Sequence, residues 1–305
     1  MRRYVHTYSI LGRDDETGLM GGAVQSHYFC VGSGVLWAEA GVGVVATQSL
    51  VNFEIGRSGL HLLSLGYSPD GAMGTLLASD DGREHRQTAF LDASGRFAVH
   101  TGNKCIREAG HAVGRNCCVQ ANMMKNDTVP GAMKEAFETT GGSLDRRLLA
   151  ALQAAQNQGG DIRGMQSAAM VIVPTRKTGR PETDKPLDLR VDDHPDPLKE
   201  LERLLSLRKA YDLMDRADKA LEQGMTGDAM EFYAQAEGLR ADNPEMKYWH
   251  GITLADLGRL DEGRRLLSPV FRENPDWIEL TRRLPEAGLV SFSVEDVEKL
   301  LEQEG

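Results

Sequence analysis

The stretch Tyr4-Val-His-Thr-Tyr-Ser-Ile-Leu-Gly-Arg13, followed by Gly21-Gly-Ala-Val-Gln-Ser26, decides how this chain folds. The first segment is rich in β-branched and aromatic residues and the second in small ones, a pairing suited to adjacent, closely packed strands. In an extended strand successive side chains point to opposite faces. Thr7 therefore stands with Val5, Ser9 and Leu11, whereas His6, Tyr8 and Ile10 face the other way. Thr7 and Ser9 point into the same space.

Outward from this pair, Val42-Gly-Val-Val-Ala-Thr-Gln48 is a third strand. Helical signals then take over. Gly59-Leu-His-Leu-Leu-Ser-Leu65 is apolar at helical intervals, and Ser68-Pro-Asp-Gly-Ala-Met supplies an N-cap serine with proline at the first helical position. Gln87-Thr-Ala-Phe-Leu91 and Phe97-Ala-Val-His-Thr101 form a second strand pair across the turn Asp92-Ala-Ser-Gly-Arg. Residues 103–127 read as loop. Helices are expected over 129–140 and 144–157, the latter with Leu144, Leu148, Leu149, Leu152 and Ala155 on one stripe. Ala168-Ala-Met-Val-Ile-Val173 is a buried strand. This order fits two stacked sheets with a helix pair on each outer face.

Residues 174–197 hold Pro174, Pro181, Pro186, Pro195 and Pro197 among charges, the composition of an exposed connection, within which Leu187-Asp-Leu-Arg-Val191 alternates as an edge strand would. A long amphipathic helix begins at Leu198. Beyond it lies a 34-residue self-similarity: Gly224 recurs as Gly258, Asp228 as Glu262, Ala229 as Gly263, Tyr233 as Leu267 and Ala236 as Val270. Asn243-Pro244 and Asn274-Pro275 close the units. The boundaries expected are 1–197 for a mixed domain and 198–305 for a helical one.

Composition narrows the function. Of the formal net charge of -10, residues 1–175 contribute little, with 15 Lys and Arg against 16 Asp and Glu, while 176–305 hold 20 against 29. No basic face tracks phosphates, so neither nucleic acid nor an anionic membrane is the expected partner. No stretch approaches a membrane span and the N-terminus does not read as a secretory signal. Cys30, Cys105, Cys117 and Cys118 lack the spacing of a disulfide framework, which favours a reduced, cytoplasmic setting.

Together, the opening strand pair and the motifs Ala38-Glu-Ala-Gly-Val-Gly43, Ala46-Thr-Gln48, Gly82-Arg-Glu-His-Arg-Gln87, His100-Thr-Gly102, Gly110-His111 and Gly159-Gly-Asp-Ile-Arg-Gly-Met-Gln-Ser-Ala168 resemble one uncharacterised bacterial domain family of the Ntn-hydrolase superfamily. The resemblance covers roughly the first two thirds of the chain and is specific only as a set. It implies an α+β fold, a four-layer αββα sandwich, with a small all-α domain behind it whose period resembles a tetratricopeptide pair. In proteins of that family a trailing segment of this kind is sometimes described as peptidoglycan-binding, although nothing in these residues points to peptidoglycan directly.

The resemblance makes Thr7 the candidate nucleophile, attacking a small amide or peptide bond while its own α-amine serves as base. Six residues, Met1 to His6, precede it, and loss of an initiator methionine does not expose it. Either the chain is a precursor, or its start lies elsewhere, or Ntn chemistry is not used. The cleft implied by the fold lies where the first strand begins. Gln48 and Asn52 are candidate donors to an oxyanion, and Glu39 a residue that orients a base or caps a turn. His100 and His111 flank Cys105. His-x4-Cys-x5-His lacks a fourth metal ligand, so no metal or other cofactor is expected, and a Cys105–His100 nucleophile pair stands as an alternative. Asp161 and Arg163 are read as a pair, with Arg163 free to clamp a substrate carboxylate or simply holding a turn. The competing function is a non-catalytic binding protein whose helical repeats recruit a peptide, protein or cell-wall partner. A homo-oligomer is compatible with either reading.

Overall fold

The computed structural model describes residues 4–5 and 7–301, so the part of the expected first strand at His6, and the facing expected of Val5 and His6, lie outside the described residues and side chains. Two compact units emerge, Met1–Arg203 and Leu204–Gly305. The first contains β1 (Tyr4–Val5), β2 (Thr7–Asp14), β3 (Leu19–Ser26), β4 (Leu36–Glu39), β5 (Gly43–Leu50), α1 (Phe53–Ser64), α2 (Pro69–Ala78), β6 (Arg86–Asp92) and β7 (Phe97–Thr101). It continues with β8 (Gly110–Gly114), β9 (Cys117–Ala121), α3 (Val129–Thr139), α4 (Leu144–Asn157), β10 (Ser167–Pro174), α5 (Pro181–Asp184) and β11 (Leu187–Val191).

These strands form two antiparallel sheets, one in the order β1-β5-β6-β7 with β4 also on β5, the other β11-β10-β3-β2-β9-β8. Alternation sorts their side chains as the sequence pattern requires. Leu11, Val24, Val44, Ala46, Ala89, Leu91, Cys118 and Ala169 meet in one buried apolar cluster between the sheets. The alternate residues Val45 and Phe90 pack outward against Ile55, Leu63 and Met73 of α1 and α2. On the other sheet, the outward side of β2 lies under α3 and α4: a Cβ on Gly12 would stand 2.7 Å from Phe137 and 3.2 Å from Leu148. The layers thus run helix, sheet, sheet, helix. Asn52 caps α1 by accepting from the Glu54 amide, and Ser68 caps α2 with Pro69 at its first turn.

One expectation needs correction. Residues 103–127 are not simply loop, because Gly110–Gly114 and Cys117–Ala121 pair as β8 and β9, and β9 pairs with β2. Both are short, small-residue segments whose strand character comes from pairing and burial, which local propensity does not register. Within 174–197 the edge strand expected at Leu187–Val191 forms: β11 pairs along five residues of β10, from Ala168 opposite Val191 to Ile172 opposite Leu187, and α6 (Pro197–Glu222) has begun by the end of the segment. The first unit ends at Arg203 and the second begins at Leu204, both within α6.

The second unit contains the rest of α6, then α7 (Thr226–Leu239), α8 (Pro244–Asp256), α9 (Leu260–Glu273), α10 (Asp276–Glu286) and α11 (Val294–Leu301). The 34-residue frame shows why small residues recur in it. A Cβ on Gly263 would lie 2.6 Å from the Gly251 carbonyl oxygen where α9 crosses α8, and Ala217 and Ala229 share the preceding cluster of α6 and α7. Among the described residues, no helix is long and apolar enough to cross a membrane.

Two outcomes follow from this packing. A Cβ on Gly21 would sit 2.4 Å from the Val171 carbonyl oxygen, backbone that cannot swing aside. Gly21→Ala should therefore cost about 1–3 kcal/mol of stability in a urea titration, and an unchanged midpoint would mean that β3 and β10 make room more easily than this close approach implies. Under limited proteolysis the first cuts should fall at 176–183, where the chain is exposed, and not within 187–191.

Candidate active site

The inner face of the sandwich changes character along its length. Toward one end it is apolar, whereas at the other Thr7, Ser9, Ser26, Gln48, Gln87, Gln120 and Asn122 are all buried. The strand register puts them together: Ser9 lies opposite both Val24 and Gln120, and Gln48 opposite Gln87. Ser9 Oγ donates to Gln48 Oε1 at 2.7 Å and accepts from Gln120 Nε2 at 3.2 Å. Gln48 Nε2 donates to Gln87 Oε1 at 2.7 Å and to the Thr7 carbonyl at 3.2 Å. Gln87 Nε2 reaches the Ala121 carbonyl and Thr101 Oγ1, both at 2.9 Å. Asn122 completes the group, its Nδ2 donating to Gln87 Oε1 at 2.9 Å and its backbone amide to the Thr7 carbonyl at 3.1 Å.

The backbone bends sharply where this network ends. Ser49 and Met123, each directly after a network amide, take left-handed conformations with φ of 68° and 60°, an arrangement that costs a non-glycine residue on the order of 1 kcal/mol or more. Before Thr7 the chain belongs to the other sheet: Tyr4 and Val5 pair with Leu50 and Ser49 at the edge of β5. Thr7 is thus the residue at which the chain has crossed from one sheet to the other. Beside it, Arg86 binds Asp80 through Nε at 2.7 Å and also donates to the Leu50 carbonyl. The Arg86 hydrogen bond is the main influence that holds the Asp80 carboxyl below its ordinary value.

The residues singled out from the sequence are distributed unevenly. Thr7 and Gln48 sit in the network. Asn52 spends its side-chain oxygen on the α1 cap and its Nδ2 on Asp80, at 3.4 Å. His111 touches the network from its rim, its Nδ1 at 2.9 Å from Thr101 Oγ1. Partial shielding from solvent, helped by nearby His100, holds its imidazole below the ordinary value, so a neutral ring faces Thr101. His100 itself lies opposite Thr88, on the face of the sheet that carries Phe90, and its Nε2 meets the Arg83 carbonyl at 3.0 Å. Asp161, almost wholly buried, accepts from the Arg163 amide, Nε and Nη2 at 2.9, 3.0 and 2.7 Å. This bidentate pair builds the turn into β10. Glu39 lies opposite Gly43 at the start of β5, about 20 Å along the strand from Ser49, where it faces Lys177 at 3.8 Å.

The thiols are held protonated. Burial pushes the Cys105 thiol up, and it donates to the Arg86 carbonyl rather than to a histidine; Cys117 is pushed up to about 12 by the same cause. Among the described residues, no three His, Cys, Asp or Glu side chains come together in a way that could hold a metal ion. Sequence reading missed Gln87, Gln120 and Asn122. Their signal was present, since Gln87 and Gln120 each interrupt a short strand of small and apolar residues on the side that faces inward.

Removing a network member strands its partners. Gln48→Leu leaves Ser9 and Gln87 short of a partner in a buried setting and should cost about 2–4 kcal/mol. His100→Ala, half-buried on the outer face of the sheet, should cost less than about 1 kcal/mol. Equal urea midpoints for the two variants would contradict the network's structural weight.

Comparison with known proteins puts this arrangement in a family. The model of a family of unknown function (DUF1028) matches residues 7–201, and a tetratricopeptide repeat model matches 220–283. A crystal structure of a Silicibacter pomeroyi protein assigned to the same family is 35% identical with a TM-score of 0.59, over 66% of this chain and 88% of that one. Anbu, an ancestral β-subunit from Yersinia bercovieri, is 13% identical with a TM-score of 0.34, over 66% of this chain and 96% of that one. No curated protein matches. With nearly two hundred consecutive residues matched by one family model, and a solved relative of the same family, the chain belongs to the DUF1028 family, followed by a tetratricopeptide-type repeat region.

Proposed function

We propose that the first unit is an Ntn-type amidohydrolase whose nucleophile is Thr7, competent once the residues before Thr7 are removed. The observation that carries this reading is the placement of Thr7. It heads β2 at the polar end of an αββα sandwich, its carbonyl gripped by Gln48 and Asn122, and the chain before it is bound along the edge of β5.

In that reading the freed α-amine takes the proton from Thr7 Oγ1 as the oxygen attacks the substrate carbonyl carbon. The tetrahedral oxyanion is stabilised by amide donors in a setting screened from water. When the carbon–nitrogen bond breaks, the proton held by the amine passes to the leaving nitrogen. Water, deprotonated by the same amine, then attacks the ester carbonyl; the carbon–Oγ1 bond breaks, the amine returns the proton to Thr7 Oγ1, and the acid leaves. Gln48, Gln87 and Asn122 are the positioning residues, and His111, linked through Thr101, tunes the rim. The substrate class is a small amide or peptide. Asn52, His100, Asp161, Arg163 and Glu39 hold structure in this scheme, given the partners each already has.

A second reading has its own support. Thr7 is completely buried in the intact chain, so a protein that keeps its first six residues would bind through its helical repeats without catalysis. Mass spectrometry of protein from its native source separates the two: a chain starting at Thr7 supports the enzyme, and one starting at Met1 or Arg2 the binding protein.

A chain engineered to begin at Thr7 should hydrolyse at least one member of a panel of peptides, γ-glutamyl amides, acylated amino acids and ureido compounds. Thr7→Ala in that background should abolish the activity, while Ser9→Ala should keep a measurable rate. Because the amine must be neutral to accept a proton, kcat/KM should rise with pH through about 7.7–8.0 and level off above it. Folded but inert trimmed protein would overturn the enzymatic reading. An intact, active full chain would place the chemistry elsewhere.

A further inference from the structure

In the second unit a cavity of about 360 Å³ opens between α6 and α8, with Tyr211, Asp215, Asp218, Tyr233, Glu245 and Trp249 on its walls. Its chemistry is one-sided. Three carboxylates line it with the rings of Tyr211 and Trp249 and the hydroxyl end of Tyr233, whose buried ring stacks on His250, and among the described residues no lysine or arginine does. Two of the carboxylates are aimed by the rings themselves: Tyr233 donates to Asp218 at 2.5 Å, while Glu245 accepts from the Tyr211 hydroxyl and, at 3.4 Å, from Trp249 Nε1.

The Glu245 hydrogen bond pushes the Tyr211 phenol up, and burial, then Asp218, raises that of Tyr233. Both hydroxyls therefore stay protonated as donors. Nearby cations are engaged elsewhere, Arg208 with Asp212 and Arg240 with Asp242, while Arg216 lies over the Phe232 ring. The surrounding unit adds to the field, since residues 204–305 hold 13 Lys and Arg against 21 Asp and Glu.

We infer that this groove binds an extended peptide through its arginine side chains, each guanidinium stacked on an aromatic face and paired with a carboxylate. A guanidinium suits these walls better than an ammonium, because it is planar, stacks on rings and meets a carboxylate with two donors. The length argues for a peptide rather than a free cation. Tyr211 and Asp218 are two helical turns apart on α6, about 10 Å, which matches one three-residue turn of a polyproline-II chain, about 9 Å, whose side chains at i and i+3 project to the same side. The inference is independent of whether the first unit is an enzyme.

The test uses the full chain and a fluorescein-labelled, end-blocked nonapeptide of glycine and serine with arginine at its third and sixth positions, followed by anisotropy. Binding should be at least about tenfold tighter than for the peptide with citrulline at both positions, and should weaken as salt rises. Asp215→Asn and Glu245→Gln, checked for unchanged circular dichroism, should each weaken it about fivefold, the effect expected of one partly exposed ion pair. Asp215 is exposed and makes no ion pair among the described residues, so its replacement leaves the fold a fair control. Equal binding of the arginine and citrulline peptides, no binding of either, or indifference to both substitutions would overturn the proposal. Free arginine competing as strongly as the peptide would overturn the peptide as occupant.

Discussion

The inter-sheet hydrogen bonds of Gln48 and Gln87 are the constraint on which the first unit depends. Each stands on the β5–β6 sheet and donates to backbone of the other, Gln48 to the Thr7 carbonyl and Gln87 to that of Ala121. The apolar cluster toward the other end attracts the sheets without fixing their offset, because hydrophobic burial is not directional. Amide bonds are directional, and a slip of one residue would leave several buried donors and acceptors unpaired at about 1–3 kcal/mol each. The polar end therefore sets the alignment that the apolar end merely holds.

That alignment needs the sheets and strands close, and the small residues supply it. Gly21 and Gly22 stand where any Cβ would meet the backbone or side chains of neighbouring strands, at 2.4 Å from the Val171 oxygen and 2.8 Å from Leu11 Cδ2. The left-handed conformations at Ser49, inside β5, and at Met123, just past β9, are the local cost of turning the backbone directly after residues that must face inward. One hydrogen bond is missing from the arrangement: Gln120 Oε1 is buried and has no partner among the described residues, so the network is dense without being closed.

How much of this was legible depended on the kind of signal. Helices α1, α2 and α4 and strands β2, β3, β7 and β11 announced themselves through period, caps and turn residues, which act over a few positions. The repeat region was legible for the same reason, since Ala229 and Gly263 sit at the same point of a 34-residue frame and both lie at helix crossings. β8 and β9 were not, because Cys117-Cys-Val-Gln-Ala becomes a strand through β2, about a hundred residues away, and Gly110-His-Ala-Val-Gly is an edge strand only by pairing with β9 in turn. At the site, Thr7 and Ser9 could be placed on one face by alternation alone. Gln87 and Asn122 could not be connected to them, since which strand lies across the sandwich is a property of topology. Asn52 shows the converse: read as a donor to an oxyanion, it instead caps α1, a bond that its position just ahead of the helix could have announced on local grounds.

The part of Thr7 that the fold grips bears on both functional readings. The contacts from Gln48 and from the Asn122 amide and side chain go to its carbonyl oxygen, at 3.2, 3.1 and 3.4 Å, on the side of the residue that leads into β2. None of them involves the peptide bond to the residue before. Cleavage ahead of Thr7 would thus remove β1 from the edge of β5 while leaving these bonds able to hold the residue in place. Preorganisation of that kind lowers the cost of positioning a nucleophile, and it is built from backbone and amide groups that must also be satisfied for the sandwich to close. Stability and the geometry of the site are here the same set of hydrogen bonds, which is why the chain holds an ordered polar end whether or not the bond before Thr7 is cut.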